Sequence, residues 1–534
     1  MSVASPERPP VLQAAKDLVV TNAPPPREVE IKFRADQAAM QRLLSSSFLK
    51  AASISSPKDF VSVYFDTAEK HLQAQGIALR MRKKGRAVPV MTLKWDGPAA
   101  YGLFSRGEVE VPCPVGVPDL QLLGPDAAKR VSDAVGNRPL DPVFETRVKR
   151  RTAILRHGHS ELEIALDDGF IIAGEARLPV TEVEVELKSG NMHDLLACAA
   201  LLSREAALRL DFEAKPEKGY RIAGGDLPRP QKAAKLDLPR TANFDDLLAA
   251  VMSNTLEHFV SNWAPLREAD VPESIHQLRV ALRRMSSALG VFRRVIKLPE
   301  LEDIRQEAKR IASALGPARE CDAFRQNALG GPFRKNPQLL KGATTLLEAV
   351  EVRRVQSYAT ARLLMEDAAT TQFVLAVQGF ILRRAWRTAL TAEDLGLLTS
   401  EGRLFGAAVL DRLMRRAVKR GRYLQTMTDE ERHELRIVLK NLRYSVEFFG
   451  SFFEDGKTLR AFLKLVAELQ EDLGAHNDAA TSQSFIENLD LPADGDTQFA
   501  SGYLLGWYRH ATVVADLHLI KKWQRFKKTD LFWE

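Results

Sequence analysis

Glutamate, lysine and arginine side chains recur at every second position in several segments of roughly the first 220 residues. Because successive side chains of a β-strand point to opposite faces, each segment predicts a strand with one charged and one apolar face. The first segment places Glu28, Glu30 and Lys32 on one face and Val29 and Ile31 on the other. The other polar positions of these strands are Arg80 and Arg82; Thr92 and Lys94; Arg106, Glu108 and Glu110; Asp167; and Glu182, Glu184 and Glu186.

The mixture of charges on these strands points to a ligand. A single charged face is explained by exposure to water, as on most half-buried antiparallel strands. Several faces that carry carboxylates beside arginines and lysines are costly to bring together unless a cation and an anion neutralise them. The pattern therefore predicts a tunnel that holds a metal ion and a polyanion.

The order of the motifs resembles the CYTH superfamily, also called triphosphate tunnel metalloenzymes, over roughly residues 27–222. The matching motifs are Glu28-x-Glu30-x-Lys32, Tyr64-Phe65-Asp66-Thr67, Ala78-Leu79-Arg80-Met81-Arg82, Thr92-Leu93-Lys94, Arg106-x-Glu108-x-Glu110, Leu166-Asp167-Asp168-Gly169 and Glu182-x-Glu184-x-Glu186. The resemblance implies an eight-stranded antiparallel β-barrel with peripheral helices. Its lumen is expected to bind a triphosphate group and a divalent metal.

The resemblance also implies roles for individual residues. The expected catalytic residues are Glu28, Glu30 and Lys32, and the expected metal and water-orienting ligands are Glu28, Glu30, Glu182 and Glu184, with Asp167 as a further ligand. The expected substrate contacts are Lys32, Arg80, Arg82, Lys94, Arg106 and Lys215, joined by a member of the run Arg147, Arg150 and Arg151, among which Arg147 and Arg151 are the chosen candidates. Glu108 and Glu110 are expected to position the basic side chains or to bind a second metal.

The residue types agree with phosphoanhydride chemistry. Hydrolysis of a triphosphate needs a cation at the phosphate oxygens, fixed positive charge along the chain and a water in line with phosphorus. Carboxylate oxygens favour Mg²⁺ or Mn²⁺, and the absence of cysteine and histidine from the tunnel motifs disfavours zinc. Which carboxylate acts as a base stays open.

Composition bounds the class of protein. The 534 residues predict more than one domain, and the net charge of +7 favours an anionic partner such as nucleic acid, anionic membrane or polyphosphate. Three scattered cysteines fit a reducing cytosol, so a cytoplasmic location is expected. Residues 1–26 predict a disordered tail, and no run approaches the roughly 18 apolar residues of a membrane span.

The sequence changes character near residue 223. Residues 223–240 contain Gly224-Gly225 and several prolines and predict a linker. From 241 to 534 helical periodicity continues, and the segment that begins at His276 recurs at His433, an offset of 157. Leu315-Gly316 recurs at Leu473-Gly474 with an offset of 158. The sequence thus predicts an all-α domain of two repeated bundles, at about 241–395 and 396–534.

Each repeat begins with an amphipathic helix that has an apolar stripe and a basic face. The predicted stripes are Leu278, Leu282, Met285, Leu289 and Phe292, and Leu435, Leu439, Leu442, Val446 and Phe449. The His-x-Leu-Arg signature resembles the CHAD domain, a polyphosphate-binding module. The implied polyphosphate contacts are His276, Arg279, Arg283, His433, Arg436 and Lys440.

The leading function is therefore metal-dependent hydrolysis of inorganic triphosphate in an α+β protein whose helical half binds polyphosphate, in the cytoplasm and at polyphosphate granules. Nucleic acid and membrane are not expected partners. Two alternatives stay open: a CYTH-type adenylate cyclase, for which no base-recognition element is identifiable, and a non-catalytic polyphosphate-binding scaffold, which the full set of tunnel charges disfavours.

Overall fold

The computed structural model describes residues 28–96, 102–269, 271–335, 340–391, 395–453 and 456–534, and the tail expected at 1–26 lies outside these ranges. The chain divides into two compact units. Unit 1 takes in the described residues up to Pro230 together with Val260–Ala269 and Met365–Ala385. Unit 2 takes in Gln231–Phe259, Asp270–Leu364 and Trp386–Glu534.

Within the described residues, nine strands form one antiparallel sheet in unit 1. They are β1 Glu28–Arg34, β2 Lys58–Asp66, β3 Ile77–Lys84, β4 Val90–Asp96, β5 Leu103–Pro112, β6 Asp141–His157, β7 Ser160–Ala173, β8 Ala176–Ser189 and β9 Arg209–Leu210. The strand order is β5-β4-β3-β2-β6-β7-β8-β1-β9, and an additional pairing of β1 with β5 closes the first eight strands into a barrel. The predicted eight-stranded antiparallel barrel is thus confirmed.

The helices, in chain order, complete both units. They are α1 Gln37–Ser45, α2 Ser47–Ala51, α3 His71–Ala74, α4 Pro125–Val135, α5 Met192–Ala206, α6 Lys215–Gly224, α7 Phe244–Val260, α8 Trp263–Glu268, α9 Pro272–Phe292, α10 Pro299–Ala314, α11 Gly316–Gly330, α12 Pro332–Lys335, α13 Leu340–Met365, α14 Ala368–Leu382, α15 Leu395–Thr399, α16 Gly402–Arg420, α17 Asp429–Phe449, α18 Gly456–Glu487 and α19 Gly495–Lys527. None of the helices that the structure describes is both long enough and apolar enough to cross a membrane.

The barrel turns its charged faces inward and its apolar faces outward. Met81 and Leu93 of neighbouring strands pack with Val131 of α4 in one buried cluster. On another side, the rings of Phe144 and Tyr220, from β6 and α6, meet edge to face with centroids 5.1 Å apart. Helices therefore cover the apolar outer surface, as burial of that surface requires, and the lumen is left to polar side chains.

The expected linker and the helical domain differ from the compact units of the structure. The units separate at Pro230, and Leu236 and Leu238, which fall within the expected linker, are buried. The segment Met365–Ala385 belongs to unit 1, where Gln372 of α14 donates a hydrogen bond from Nε2 to the carbonyl oxygen of Ala200 in α5 (3.0 Å). Burial of apolar side chains explains why part of the expected linker is packed, and pairing of backbone polar groups explains why Met365–Ala385 joins unit 1. The composition of the sequence indicates neither contact.

Unit 2 confirms the two apolar stripes, since every residue of both is buried to 1% exposure or less. The repeat extends to a shared contact. Arg279 of α9 donates to the carbonyl oxygen of Ala312, and Arg436 of α17 donates from Nε to the carbonyl oxygen of Gln470 at 3.2 Å. The two helices therefore hold their next partners in the same way.

The recurring Leu-Gly pairs explain how those arginines fit. A Cβ atom added at Gly316 would lie 3.2 Å from Nη1 of Arg279, and one added at Gly474 would lie 3.1 Å from Nη2 of Arg436. A larger side chain at either glycine would thus crowd the guanidinium. The repeat visible in the sequence is consequently a repeat of packing geometry around one half-buried arginine in each bundle.

Candidate functional site

A cavity of about 220 Å³ lies in the barrel lumen. Among the described residues, its wall carries seven carboxylates and eight basic side chains, so the two charge signs nearly balance. They are Glu28, Glu30, Glu108, Glu110, Glu163, Glu184 and Glu186, and Lys32, Arg80, Arg82, Lys94, Arg106, Arg150, Lys188 and Lys215. We call this space the tunnel cavity. It contains the predicted Glu28, Glu30, Lys32, Arg80, Arg82, Lys94, Arg106, Glu184 and Lys215, and it also contains Glu186, to which the resemblance assigned no role.

Lys32 occupies the junction of two strands. Strand pairing places it opposite Glu184, and its Nζ lies 2.5 Å from Oε1 of Glu184 and 2.8 Å from Oε1 of Glu30. Burial opposes its charge, but Glu184 and Glu30 outweigh that effect and raise the pKa of Lys32. The ammonium is therefore held charged between two carboxylates that were predicted to bind metal.

Arg150 is the member of the basic run that faces the lumen. Its Nε and Nη2 atoms donate to the two oxygens of Asp167 at 2.6 Å, and Nη2 also donates to Glu184 at 2.5 Å. Because side chains alternate along β6, Arg147 and Arg151 lie on the opposite face and do not line the cavity. Their assignment as substrate contacts is corrected, and Arg147 pairs instead with Glu145 at 2.7 Å.

Lys215 enters the barrel from the first turn of α6. Its Nζ lies within 2.9 Å of three carboxylates: Glu182 at 2.6 Å, Asp167 at 2.8 Å and Glu184 at 2.9 Å. Burial opposes the charge, but Asp167, Glu182 and Glu184 together raise the pKa of Lys215 well above its usual range. The Lys215 ammonium is therefore protonated at the cavity wall and held there by three carboxylates.

Two predicted metal ligands stand behind that wall. Asp167 and Glu182 are 0% and 1% exposed and do not line the tunnel cavity. Asp167 is occupied by Arg150 and Lys215, and Glu182 is occupied by Lys215 and Lys218. Both carboxylates pair with basic side chains and lie outside the cavity lining, and their expected role as metal ligands stays a prediction.

Tyr64 lines the tunnel cavity. It belongs to the motif Tyr64-Phe65-Asp66-Thr67, but the sequence assigned it no role. Its hydroxyl lies 3.5 Å from Nη1 of Arg80 and its ring stacks on Phe144. Burial favours the neutral phenol, but Arg80 and Arg82 outweigh it and lower the pKa of Tyr64. Burial, and then the adjacent Arg80, lowers the pKa of Arg82 to about 10. Arg80 lies 3.7 Å from both Glu108 and Glu110, which help to raise its pKa, so Arg82 is the less compensated arginine of the two.

Carboxylates fix the other basic side chains of the cavity. Lys94 pairs with Glu28 and lies 3.2 Å from Glu108. Arg106 lies over the ring of Phe104, 4.8 Å from its centroid. This part of the wall therefore holds its cations in place before any ligand arrives.

The donors suit a hard divalent cation. Within the described residues, no group of three or more histidine, cysteine or acidic side chains forms a ready-made metal site. Mg²⁺ usually takes only one or two carboxylates and completes its shell with substrate phosphates and water. Glu28, Glu30 and Glu184 line the cavity with such oxygens, so the residues present fit Mg²⁺ or Mn²⁺ together with a phosphate ligand.

Unit 2 contains a second charged cavity, of about 920 Å³, between helices α9, α10, α16 and α17. Its described wall carries ten basic residues and no carboxylate: Arg279, Arg283, Arg293, Arg294, Arg305, Lys309, Arg412, Arg416, His433 and Lys440. We call this space the basic pocket. Such a wall fits a polyanion and provides no acidic oxygen for a metal.

The basic pocket includes four of the six predicted polyphosphate contacts. Arg279, Arg283, His433 and Lys440 line it, whereas His276 and Arg436 do not. Burial, followed by the charges of Arg436 and Arg283, lowers the pKa of Lys440 to about 7. The sequence missed the contributions of α10 and α16, for which the adjacent basic pairs Lys309-Arg310 and Arg415-Arg416 were compositional signals.

Comparisons with known proteins agree with this division. Residues 26–220 match the family model described as CYTH domain, and residues 250–487 match the one described as CHAD domain. A Haemophilus influenzae protein named inorganic triphosphatase is 32% identical over 164 residues, which cover 30% of this chain and 44% of that protein. The match therefore spans less than half of that relative.

Two further similarities extend over more of the sequence. An uncharacterized protein of Mycobacterium tuberculosis is 25% identical over 529 residues, covering 90% of this chain and 93% of that protein. The crystal structure of the CHAD domain from the plant Ricinus communis has 25% sequence identity and a TM-score of 0.46, and the match covers 55% of this chain and 96% of that chain.

Proposed function

Because the chain carries a CYTH domain followed by a CHAD domain, we propose that it is a metal-dependent hydrolase that cleaves inorganic triphosphate to pyrophosphate and phosphate, and that its helical half binds polyphosphate. The tunnel cavity is the observation that carries the first part. It combines arginines and lysines with glutamates. Its described lining includes no histidine or cysteine, the side chains that zinc favours.

The basic wall of the tunnel cavity supplies phosphate contacts at several points. Arg80, Arg82 and Arg106 present planar guanidinium groups that can contact two phosphate oxygens at once, and Lys94 and Lys215 add compact charges. Carboxylates hold most of these cations before the substrate binds, so little reorganisation is needed when a triphosphate enters. Fixed charge of this kind stabilises a phosphoryl-transfer transition state.

The proposed metal is Mg²⁺ or Mn²⁺, with Glu28, Glu30 and Glu184 as the residues that would hold it. When bound, such an ion neutralises phosphate oxygens and acidifies a coordinated water. Lys32, between Glu30 and Glu184, keeps these carboxylates in place and adds positive charge beside the reacting phosphate.

The basic pocket supports the second part of the proposal. Its wall is positive along helices of both repeats, and a long flexible polyanion can contact many of these side chains together. We therefore propose polyphosphate as the partner of unit 2 and a cytoplasmic location at polyphosphate granules.

A hydrolysis panel tests the proposed reaction. The full chain is assayed with triphosphate, ATP, thiamine triphosphate and long polyphosphate, each with Mg²⁺ or Mn²⁺ and with excess chelator. We expect phosphate release from triphosphate with either metal and none in chelator. Glu30→Gln should be inactive, whereas Glu175→Gln, on an exposed turn outside the cavity, should retain activity. Formation of cyclic AMP from ATP would contradict the proposed hydrolysis. Faster hydrolysis of another triphosphate would replace inorganic triphosphate as the proposed substrate.

A further inference from the structure

A second buried lysine lies one helical turn after Lys215. Lys218 is 5% exposed, does not line the tunnel cavity, and places its Nζ 2.5 Å from Oε1 of Glu182 and 2.5 Å from Oδ2 of Asp211. Positions three residues apart share a helix face, so both lysines of α6 point into the barrel. Lys218 therefore belongs to the support of the tunnel cavity.

Glu182 connects the two lysines. Its Oε1 atom contacts Lys218 at 2.5 Å and its Oε2 atom contacts Lys215 at 2.6 Å. Asp211, Lys218, Glu182 and Lys215 thus form a row of alternating charges that ends at the cavity wall. Glu182 makes the shortest of the three carboxylate contacts to the Lys215 ammonium, and its other oxygen is held by Lys218.

The location of the lysines in α6 is itself unfavourable. Positive side chains in the first turn of a helix oppose the helix dipole, and both are buried, which penalises a charge. Burial opposes the charge of Lys218, but Asp211 and Glu182 outweigh it and raise its pKa. The carboxylate partners thus secure two cations where the helix alone would disfavour them.

We propose that Lys218 is a positioning residue for the tunnel: it holds Glu182 so that Lys215 presents its ammonium to the phosphate chain. The inference rests on the proposed triphosphatase function. Without Lys218, Glu182 has a free oxygen beside Lys215 and draws the Lys215 ammonium away from the cavity. A displacement of about 1 Å in such a group is enough to reduce catalytic efficiency, kcat/KM, by up to roughly a hundredfold.

The test compares Lys218→Met, Lys218→Arg and the double variant Asp211→Asn/Lys218→Met in the full chain. Lys129→Met is the matched control, because Lys129 is 73% exposed and pairs with Asp133 across the surface of α4. The measurements are kcat and KM for triphosphate, the dissociation constant for triphosphate by calorimetry, and the melting temperature.

Lys218→Met is expected to raise KM about tenfold, with a smaller loss in kcat, because Lys215 contacts the substrate before and during reaction. Lys218→Arg should recover most of the affinity. The double variant removes the unpaired charge of Asp211, so its melting temperature should return toward that of the unaltered protein while KM stays raised.

A double variant with unaltered KM and dissociation constant would overturn the proposal, since Lys218 would then serve only to neutralise Asp211. If Lys218→Met does not fold, the double variant and Lys218→Arg decide by the same two constants. If the unaltered protein hydrolyses no triphosphate, the proposed function fails separately. Calorimetry still tests whether Lys218 controls triphosphate binding, and unchanged binding in all variants overturns it.

Discussion

The tunnel cavity and the basic pocket differ in the sign balance of their walls. The tunnel cavity sets eight basic side chains against seven carboxylates, whereas the basic pocket sets ten basic residues against none. In the tunnel, neighbouring carboxylates raise the pKa of Lys32 and Lys215. In the basic pocket, burial and neighbouring cations lower the pKa of Lys440 to about 7 and that of Arg279, through burial and Arg283, to about 10.

This difference separates two ways to bind a chain of phosphates. Paired charges keep the tunnel cations fixed and ionised, which suits the exact placement that catalysis needs. The described lining of the basic pocket has no carboxylate, although Glu302 outside the lining pairs with Arg293 and Arg305. Its other cations repel one another and gain when a polyanion arrives, so binding should depend on salt and on pH.

The largest expected effect is removal of divalent metal. Excess chelator should reduce triphosphate hydrolysis to the uncatalysed level, because the glutamates of the tunnel cavity repel a polyanion when no cation is bound. Polyphosphate binding should persist, since the described lining of the basic pocket has no acidic oxygen to be neutralised. Phosphate release and polyphosphate binding are measured in the same buffer. Full hydrolysis in chelator would contradict the metal requirement.

The second prediction removes charge from the basic pocket. Arg283→Gln/Lys440→Gln should weaken long polyphosphate binding on the order of a hundredfold, because two charge-assisted hydrogen bonds are lost. The dependence of log affinity on log salt should become shallower, a rule calibrated on nucleic acid that carries over in direction. Triphosphate hydrolysis should not change.

Its matched control is Arg310→Gln/Lys341→Gln, which removes the same charge from exposed positions of unit 2 outside the pocket. The control should bind polyphosphate as the unaltered protein does. Duplex DNA at equal charge should bind more weakly than polyphosphate. Equal losses in both double variants would mean that overall charge, and not the pocket, determines the affinity.

The third prediction compares two arginines three residues apart on β6. Arg150→Gln should lower kcat/KM for triphosphate at least roughly tenfold, because charged hydrogen bonds to Asp167 and Glu184 are lost. Arg147→Gln should have little effect, since its side chain is 62% exposed and pairs with Glu145. Steady-state kinetics of the two variants decide between them, and the reverse order would place β6 in the other register.

The sequence predicted the tunnel well because strand alternation is a local property. Lys32, Arg80 and Glu184 face the lumen as expected, and the stripes of α9 and α17 are buried. The sequence did not show which of Arg147, Arg150 and Arg151 faces the lumen, because a run of basic residues places members on both faces of β6. The pairing of Arg150 opposite Asp167 on β7 settles the register, and that pairing joins distant parts of the chain.

The sequence also could not predict which residues of a face line a cavity and which lie behind its wall. Glu182 and Glu184 share a face, yet only Glu184 lines the tunnel, because the lysines of α6 cover Glu182. Likewise, Arg279 and Arg436 have the same spacing within their repeats, yet only Arg279 lines the basic pocket. Helix periodicity gives the face of a residue, but tertiary packing decides which neighbours cover it.

The smallest expected effect is a pH dependence of polyphosphate binding. The folded-state pKa of Lys440 is lowered to about 7, chiefly by burial and then by Arg436 and Arg283, so its ammonium is lost as the pH rises through that value. A polyanion favours the protonated form. Affinity for long polyphosphate should therefore fall a few-fold, up to roughly tenfold, between about pH 6 and pH 8.5 at constant ionic strength. Lys440→Arg stays charged over this range and should flatten the profile. His433 also lines the pocket, so His433→Gln serves as the control and should retain the slope; a slope that persists in Lys440→Arg and disappears in His433→Gln would assign the titration to the histidine.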